Sequence, residues 1–165
     1  MGLAFKQIEK KDNPLLAKII RQAFGEHDAP KFGTVYSDPT TDNLFDLFKT
    51  PKSFLWVAEL DNQVIGCCGI YPTKGLSSNC TELVKFYLAK EARGKGIGKQ
   101  LLDKCIDSAL KLGFTQVYLE SLPQFSIAIK LYEKEGFFRL KKPIIDSKHK
   151  TCSIWMLKDL LPVNH

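Results

Sequence analysis

Arg93-Gly94-Lys95-Gly96-Ile97-Gly98-Lys99 is the stretch on which the reading of this chain turns. Before it, Thr81–Leu88 is largely apolar on both faces, as in a strand at the centre of a sheet. After it, Ile97, Leu101, Leu102, Cys105, Ile106, Ala109 and Leu110 recur at helical spacing as one apolar stripe, closed by Gly113. A strand thus delivers the chain to a glycine-rich turn, and a long helix begins at once. The first turn of a helix carries backbone N–H groups with no intrahelical acceptor, at the positive end of the helix dipole. Glycines let that backbone approach an anion closely, and Arg93, Lys95 and Lys99 add positive charge. The pattern predicts a phosphate-binding turn. It is not the dinucleotide fingerprint, because the spacing is G-x-G-x-G rather than G-x-G-x-x-G. It is not a P-loop either, since Arg93 stands where the first glycine belongs and Gln100 where Ser or Thr belongs.

Outward from this turn, the pattern gives a first strand over residues 3–9 and a helix over Pro14–Phe24. Residues 25–40 hold two glycines and two prolines and read as loop, and a short helix covers Asn43–Lys49. Ser53–Leu60 and Gln63–Tyr71 read as a hairpin turning at Asp61-Asn62. Within it, Gly66 and Gly69 signal close backbone approach or a bulge. Beyond the long helix, Gln116–Glu120 is a strand, Ser126–Glu135 a helix ended by Gly136, and Phe137–Lys141 and Thr151–Leu157 are strands. The order β-α-α-β-β-β-α-β-α-β-β implies an α/β fold with a mixed sheet, not a doubly wound parallel one.

The chain has 165 residues, which suits one domain over residues 3–162. With 44% apolar and 25% charged residues it is neither disordered, fibrous nor a coiled coil. No apolar run approaches a membrane span, and charges from Lys6 onward interrupt any signal-peptide core. Five cysteines without a C-x-x-C, distant from the histidines, read as buried free thiols in a reducing cytoplasm, and no metal site is expected. The net charge of +6 fits an anionic partner without naming it. Nucleic acid would fit the charge, but no helix-turn-helix, zinc-finger spacing or aromatic RNA-binding strand supports it.

Arg93-Gly94-Lys95-Gly96-Ile97-Gly98 resembles the R/Q-x-x-G-x-G/A pattern of the GNAT superfamily, the GCN5-related N-acetyltransferases. Glu82–Leu88 is similar to that family's fourth strand, and Leu131-Tyr132-Glu133-Lys134-Glu135-Gly136-Phe137, with Ala128 ahead of it, to the end of its fourth helix. The matches stand in register, and the element order agrees from about residue 4 to 160. The resemblance implies a central mixed sheet of about seven strands flanked by four helices. It also implies acetyl-CoA as co-substrate, bound where the fourth and fifth strands splay apart, and a primary amine as acceptor. Carried over, Arg93, Gly94, Lys95, Gly96, Ile97 and Gly98, with Lys99, would hold the pyrophosphate. The backbone of Phe86, Tyr87 and Leu88 would pair with the pantetheine arm like an added strand. Many members have Asn where this chain has Phe125, so Ser126 beside it is the candidate substitute.

Acetyl transfer to an amine requires a neutral nucleophile, a stabilised oxyanion and a protonated leaving thiolate. An alkylamine with a pKa of about 10.4 is almost wholly protonated near neutral pH, so a base helps. Glu82, eleven residues before Arg93, resembles the family's base glutamate, acting directly or through water. Glu120 on the next strand competes for the role, or serves as a buried partner for Lys85. Tyr132 is the candidate acid toward the CoA sulfur, and a backbone N–H near Phe86 or Tyr87 the oxyanion donor. The aromatic-rich segment 25–50 is expected to shape acceptor choice, the Lys141–Lys150 stretch to be a solvated hairpin, and Thr151–Leu157 to be free to pair across a dimer. The alternative within the fold is an acyl-CoA sensor or partner module with little catalysis.

Overall fold

The computed structural model describes residues 2–160, so the last two residues of the expected domain span lie outside the described residues. Seven strands form one sheet in the order β1-β2-β3-β4-β5-β7-β6. β1 is Leu3–Gln7, β2 Phe54–Leu60, β3 Gln63–Tyr71, β4 Cys80–Leu88, β5 Gln116–Ser121, β6 Phe138–Leu140 and β7 Ile154–Asp159. Only β4 and β5 pair in parallel; the other neighbours are antiparallel. The helices are α1 (Asn13–Glu26), α2 (Leu44–Leu47), α3 (Ile97–Lys111) and α4 (Ser126–Lys134).

Local chemistry sets these boundaries. Pro14 opens α1, where its missing N–H costs nothing. The helix runs past the expected end at Phe24, because Gly25 sits on its solvent face with open space around it. Asp61 and Asn62 both take positive φ (51° and 68°), the handedness a two-residue hairpin needs. The short second helix shrinks to one turn, since 3-10 turns at Val35–Ser37 and Pro39–Asp42 take up the preceding loop.

Each face of the sheet carries its own core. On one face, Leu16, Ile20 and Phe24 of α1 and Leu44 of α2 pack on Leu55, Val57 and Cys67. On the other, Ile97, Leu101, Leu102 and Cys105 of α3 and Ile129 and Tyr132 of α4 pack on Cys68, Ile70, Leu83, Val117 and Leu119. A Cβ at Gly69 would lie 2.8–2.9 Å from Leu55, Phe48 and the Phe54 carbonyl, so only glycine lets Phe48 press against the sheet. The five cysteines are free thiols, four of them buried.

Two expectations need correction. β7 begins three residues later than expected, because Thr151 donates from its amide to the Gly33 carbonyl and from its hydroxyl to the Phe32 carbonyl. β7 is also an interior strand and not a sheet edge: β5 pairs along Ile154–Asp159 on one side, and β6 covers Trp155–Leu157 on the other.

Two features of β4 prepare the site. First, β4 and β5 are in register only at Cys80/Gln116, Thr81/Val117 and Glu82/Tyr118, so Leu83–Leu88 has no strand on that edge. Second, β4 bulges against β3. Cys67 faces Tyr87 and Gly69 faces Val84, so Cys68 alone opposes both Lys85 and Phe86. Lys85 is the inserted residue, at φ 56°. Leu83 and Phe86 pack on the α3 side and Val84 and Tyr87 on the α1 side, so alternation is preserved around the insertion.

Candidate active site

The glycine turn leaves β4 through a short 3-10 turn at Lys90–Ala92 and enters α3 at Ile97. Gly94 and Gly96 both sit at φ 76°, a conformation open to glycine at little cost. Gly96 is the N-cap and makes no side-chain cap, so the first amides of α3 keep their donors free of one. A Cβ at Gly94 or Gly96 would meet nothing within 4 Å, so the space above the turn is open. Consecutive N–H groups in such a turn form an anion-binding nest.

The cations around this turn are not equivalent. Arg93 donates from Nε and a terminal nitrogen to the Leu88 carbonyl (3.2 and 2.9 Å) and pairs with Glu26 at 2.7 Å. Its guanidinium ties the end of β4 to α1. Lys99 lies 2.8 Å from Asp103 and 3.6 Å from Glu135. Lys95 is exposed and has no ion pair among the described residues.

From this turn a cleft of about 390 Å³ runs along the free edge of β4. Phe86, Tyr87 and Leu88 form one wall, Gly94–Lys99 (without Lys95) the mouth, and Phe125, Ala128 and Leu131 the α4 side. Ser126 is exposed and lines neither this cleft nor the cavity beyond, so its substitution for the family's Asn gains no support. Phe125 itself forms part of both walls.

Beyond Phe86, Tyr87, Phe125 and Ala128 the cleft continues into a smaller cavity of about 90 Å³. Glu82, Lys85, Glu120, Tyr132 and His149 all line it, with Thr34, Val35 and Cys152. The sequence expectation that Glu82, Glu120 and Tyr132 meet at one place is what the packing produces. Thr34 and Val35 come from the segment expected to shape acceptor choice.

Glu82 accepts from Thr73 Oγ1 at 2.6 Å through Oε1. Burial raises its carboxyl from the ordinary 4.5 to about 7; the Thr73 bond opposes that rise and nearby Glu120 adds to it. Glu120 is doubly engaged, accepting from Tyr118 OH at 2.7 Å and from Ser147 Oγ. It is not the ion-pair partner of Lys85. Tyr132 is buried, which holds its phenol well above the usual range and keeps the proton in place. Among the described residues the Tyr132 hydroxyl bonds no protein group, yet no fully buried side-chain polar atom lacks a partner. The hydroxyl therefore opens onto the cavity.

The 141–153 loop joins β6 to β7 as a hairpin with Lys141, Lys142, Lys148 and Lys150 exposed, as expected, but Ser147 and His149 turn inward. It roofs the cavity. Ser147 reaches Glu120, and His149 Nε2 pairs with Asp38 Oδ2 at 2.9 Å. That contact, first, and the amide and hydroxyl of Thr40 hold the Asp38 carboxyl well below the usual range despite burial. Thr73, Ser147, His149 and the inward turn of Lys85 were missed from sequence. Lys85 carried a signal, a lysine inside an apolar strand; the others sit in loops whose path only tertiary contacts fix.

Residues 21–137 match the Acetyltransferase (GNAT) family. The chain belongs to this family. It is 35% identical, over 94% of its own length and 93% of the relative's, to the uncharacterized N-acetyltransferase YjgM of Escherichia coli. A GNAT-family acetyltransferase from Staphylococcus aureus superposes at a TM-score of 0.85, with 20% identity over 97% of this chain and all of that one. The putative acetyltransferase yncA from Salmonella typhimurium, whose structure contains its cofactor acetyl-CoA, superposes at 0.77 with 17% identity, over 100% of this chain and 98% of that one. Membership makes this GNAT chain an N-acetyltransferase. No helix among the described residues is long and apolar enough to cross a membrane.

Proposed function

We propose that this GNAT enzyme acetylates a primary amine by direct attack within a ternary complex, with Glu82 as base and Tyr132 as acid. The observation that carries the reading is that two spaces share Phe86, Tyr87, Phe125 and Ala128 in their walls: a cleft with the glycine turn at its mouth, and a smaller cavity lined by both residues. The residues fit acetyl-CoA as co-substrate. The nest of Gly94–Gly98 suits a diphosphate, and the free β4 edge offers backbone groups along Phe86–Leu88, apart from the Leu88 carbonyl that Arg93 holds, to the two amides of a pantetheine arm. Bound there, acetyl-CoA supplies an activated acetyl thioester.

Glu82 takes the amine proton, directly or through one water. A carboxylate titrating at about 7 is half ionised at neutral pH and basic enough to accept it. Glu120 is less suited, since two donors already hold it. Tyr132 donates its proton to the departing sulfur, and a β4 amide near Phe86 or Tyr87 meets the developing oxyanion. Five free thiols suit a reducing compartment, and the cytoplasm is the proposed location.

The test is acetyl-CoA consumption against a panel of amino acids, polyamines, aminoglycosides and peptides, with calorimetric titration of acetyl-CoA alongside. Binding with turnover on an amine, abolished in Glu82→Gln, is expected. Binding without turnover on any amine would make the chain an acyl-CoA sensor instead.

A further inference from the structure

The bulge in β4 has placed a lysine where the acceptor must sit. Lys85 is 6% exposed, and its side chain lines the small cavity together with Glu82. Among the described residues it forms no salt bridge and no side-chain hydrogen bond, yet no fully buried side-chain polar atom lacks a partner. The ammonium therefore ends in the cavity. Its backbone is held there: Cys67 Sγ donates to the Lys85 carbonyl at 3.0 Å. Burial pulls its pKa down from 10.5, while Asp38 and then Glu82 favour the charged form.

A buried ammonium that Asp38 and Glu82 favour only from a distance, with no direct ion pair, is costly, and a left-handed lysine adds strain. Both features point to a ligand that completes the pair. Resting on the reading of Glu82 as base, we propose that Lys85 is a specificity-determining residue that binds a carboxylate of the acceptor, making the acceptor a small amino carboxylate with its amine at Glu82. A carboxylate suits the cavity better than a phosphate, because Glu82 and Glu120 also line it and oppose a second negative charge. The volume of about 90 Å³ favours a small acceptor, being well below the roughly 300 Å³ at which drug-sized pockets begin. His149, already paired with Asp38, lines the same cavity and adds an imidazole without competing for Lys85.

The experiment compares amino acids of increasing amine-to-carboxylate spacing with their uncharged amides, each rate corrected to the concentration of neutral amine. In the wild-type enzyme the carboxylate form should lead in kcat/KM by about tenfold or more, chiefly through KM, as a charge-assisted contact would produce. In Lys85→Met, which keeps an unbranched chain as far as Cε and removes the ammonium, that ratio should fall to within about twofold of one; Lys85→Arg should retain part of it. Equal use of acid and amide by the wild-type enzyme overturns the assignment while leaving acetyl transfer standing, and needs no variant to fold. A preference that survives intact in Lys85→Met also overturns it. Acetyl-CoA left unconsumed with both series, while other amines are acetylated, sinks the carboxylate alone; unconsumed with every amine, it sinks the base assignment too.

Discussion

Thr73 Oγ1 donates to Glu82 Oε1 across 2.6 Å, and this contact opposes the burial that raises the Glu82 carboxyl to about 7. A hydrogen bond to the ionised form favours ionisation. Removing it in Thr73→Val should therefore raise the pKa of Glu82. Since the base works only when ionised, kcat/KM should climb with pH through a midpoint near 7 in the wild-type enzyme and through a higher one in Thr73→Val. The check is a pH–rate profile of both proteins. A midpoint that stayed put would show that the profile belongs to another group.

The same carboxyl weakens the fold. Its folded pKa lies above the unfolded value of 4.5, so stability is greatest below pH 4.5 as far as this group is concerned. It falls as pH rises toward about 7, beyond which the loss is complete. A difference of that size corresponds to about 3 kcal/mol. Glu82→Gln removes the buried charge and keeps an acceptor for Thr73. At pH 8 the variant should be more stable than the wild-type enzyme, by about 2–3 kcal/mol in urea titrations, and the gain should vanish near pH 4.5. Its turnover should fall by about 10²-fold or more above pH 7, and the gap should narrow as pH falls and the wild-type carboxyl protonates.

Tyr132→Phe separates chemistry from packing. The phenol ring is buried between Phe86 and Phe137, at centroid distances of 5.9 and 5.6 Å, and the variant keeps those contacts. Because the hydroxyl bonds no protein group, its loss strands no partner, and Tm should move little. Loss of the proton donor should lower kcat by about 10- to 100-fold with the Kd for acetyl-CoA close to unchanged. Calorimetry and steady-state kinetics on one preparation give both quantities.

The parts of the site are exposed by the sequence to different degrees. The anion turn was legible because its chemistry is local: glycine spacing, a following amphipathic stripe and nearby cations all lie within one segment. Glu82 and Tyr132 became candidates through the resemblance of Glu82–Leu88 and Leu131–Phe137 to family motifs, and the packing brings both to one cavity. The roof was not. A local reading sends the lysines of Lys141–Lys150 to solvent, where they lie, but does not show Ser147 and His149 turning inward. The His149–Asp38 and Thr151–Phe32 contacts that fold it back join residues more than a hundred positions apart. Ser126, exposed and outside the linings of both spaces, was hard to place from sequence for a related reason. Its place next to Phe125 suggested a shared role, but adjacent residues at a helix start face different directions, and Phe125 took the inward one.

Gly96→Ala tests the nest. A methyl group there meets no atom within 4 Å, so its cost is the left-handed backbone at φ 76° and not a clash. For a non-glycine residue that conformation costs about 1–2 kcal/mol. The turn should relax, aiming its amides away from the anion. CoA should bind about five- to tenfold more weakly. Pantetheine, which lacks the diphosphate, should bind as before. Equal losses for the two ligands would move the anion site elsewhere.

Arg93 carries the most conspicuous side chain of the turn, and the structure gives that side chain a task other than gripping phosphate. Its guanidinium holds the Leu88 carbonyl and Glu26 together at the end of the free β4 edge. Arg93→Met should leave that carbonyl without its donor and cost about 1–2 kcal/mol of stability, the half-exposed ion pair contributing the smaller part. Arg93→Lys should recover only part of this, since an ammonium cannot reproduce the fork. The ligand dependence distinguishes the two roles. If Arg93 positions β4, CoA and pantetheine should both weaken in Arg93→Met, by similar factors, because the strand edge that pairs with the arm is displaced for both. If Arg93 instead grips the diphosphate, CoA alone should weaken. The observed bonding predicts the first outcome, and calorimetric titration of both ligands decides it.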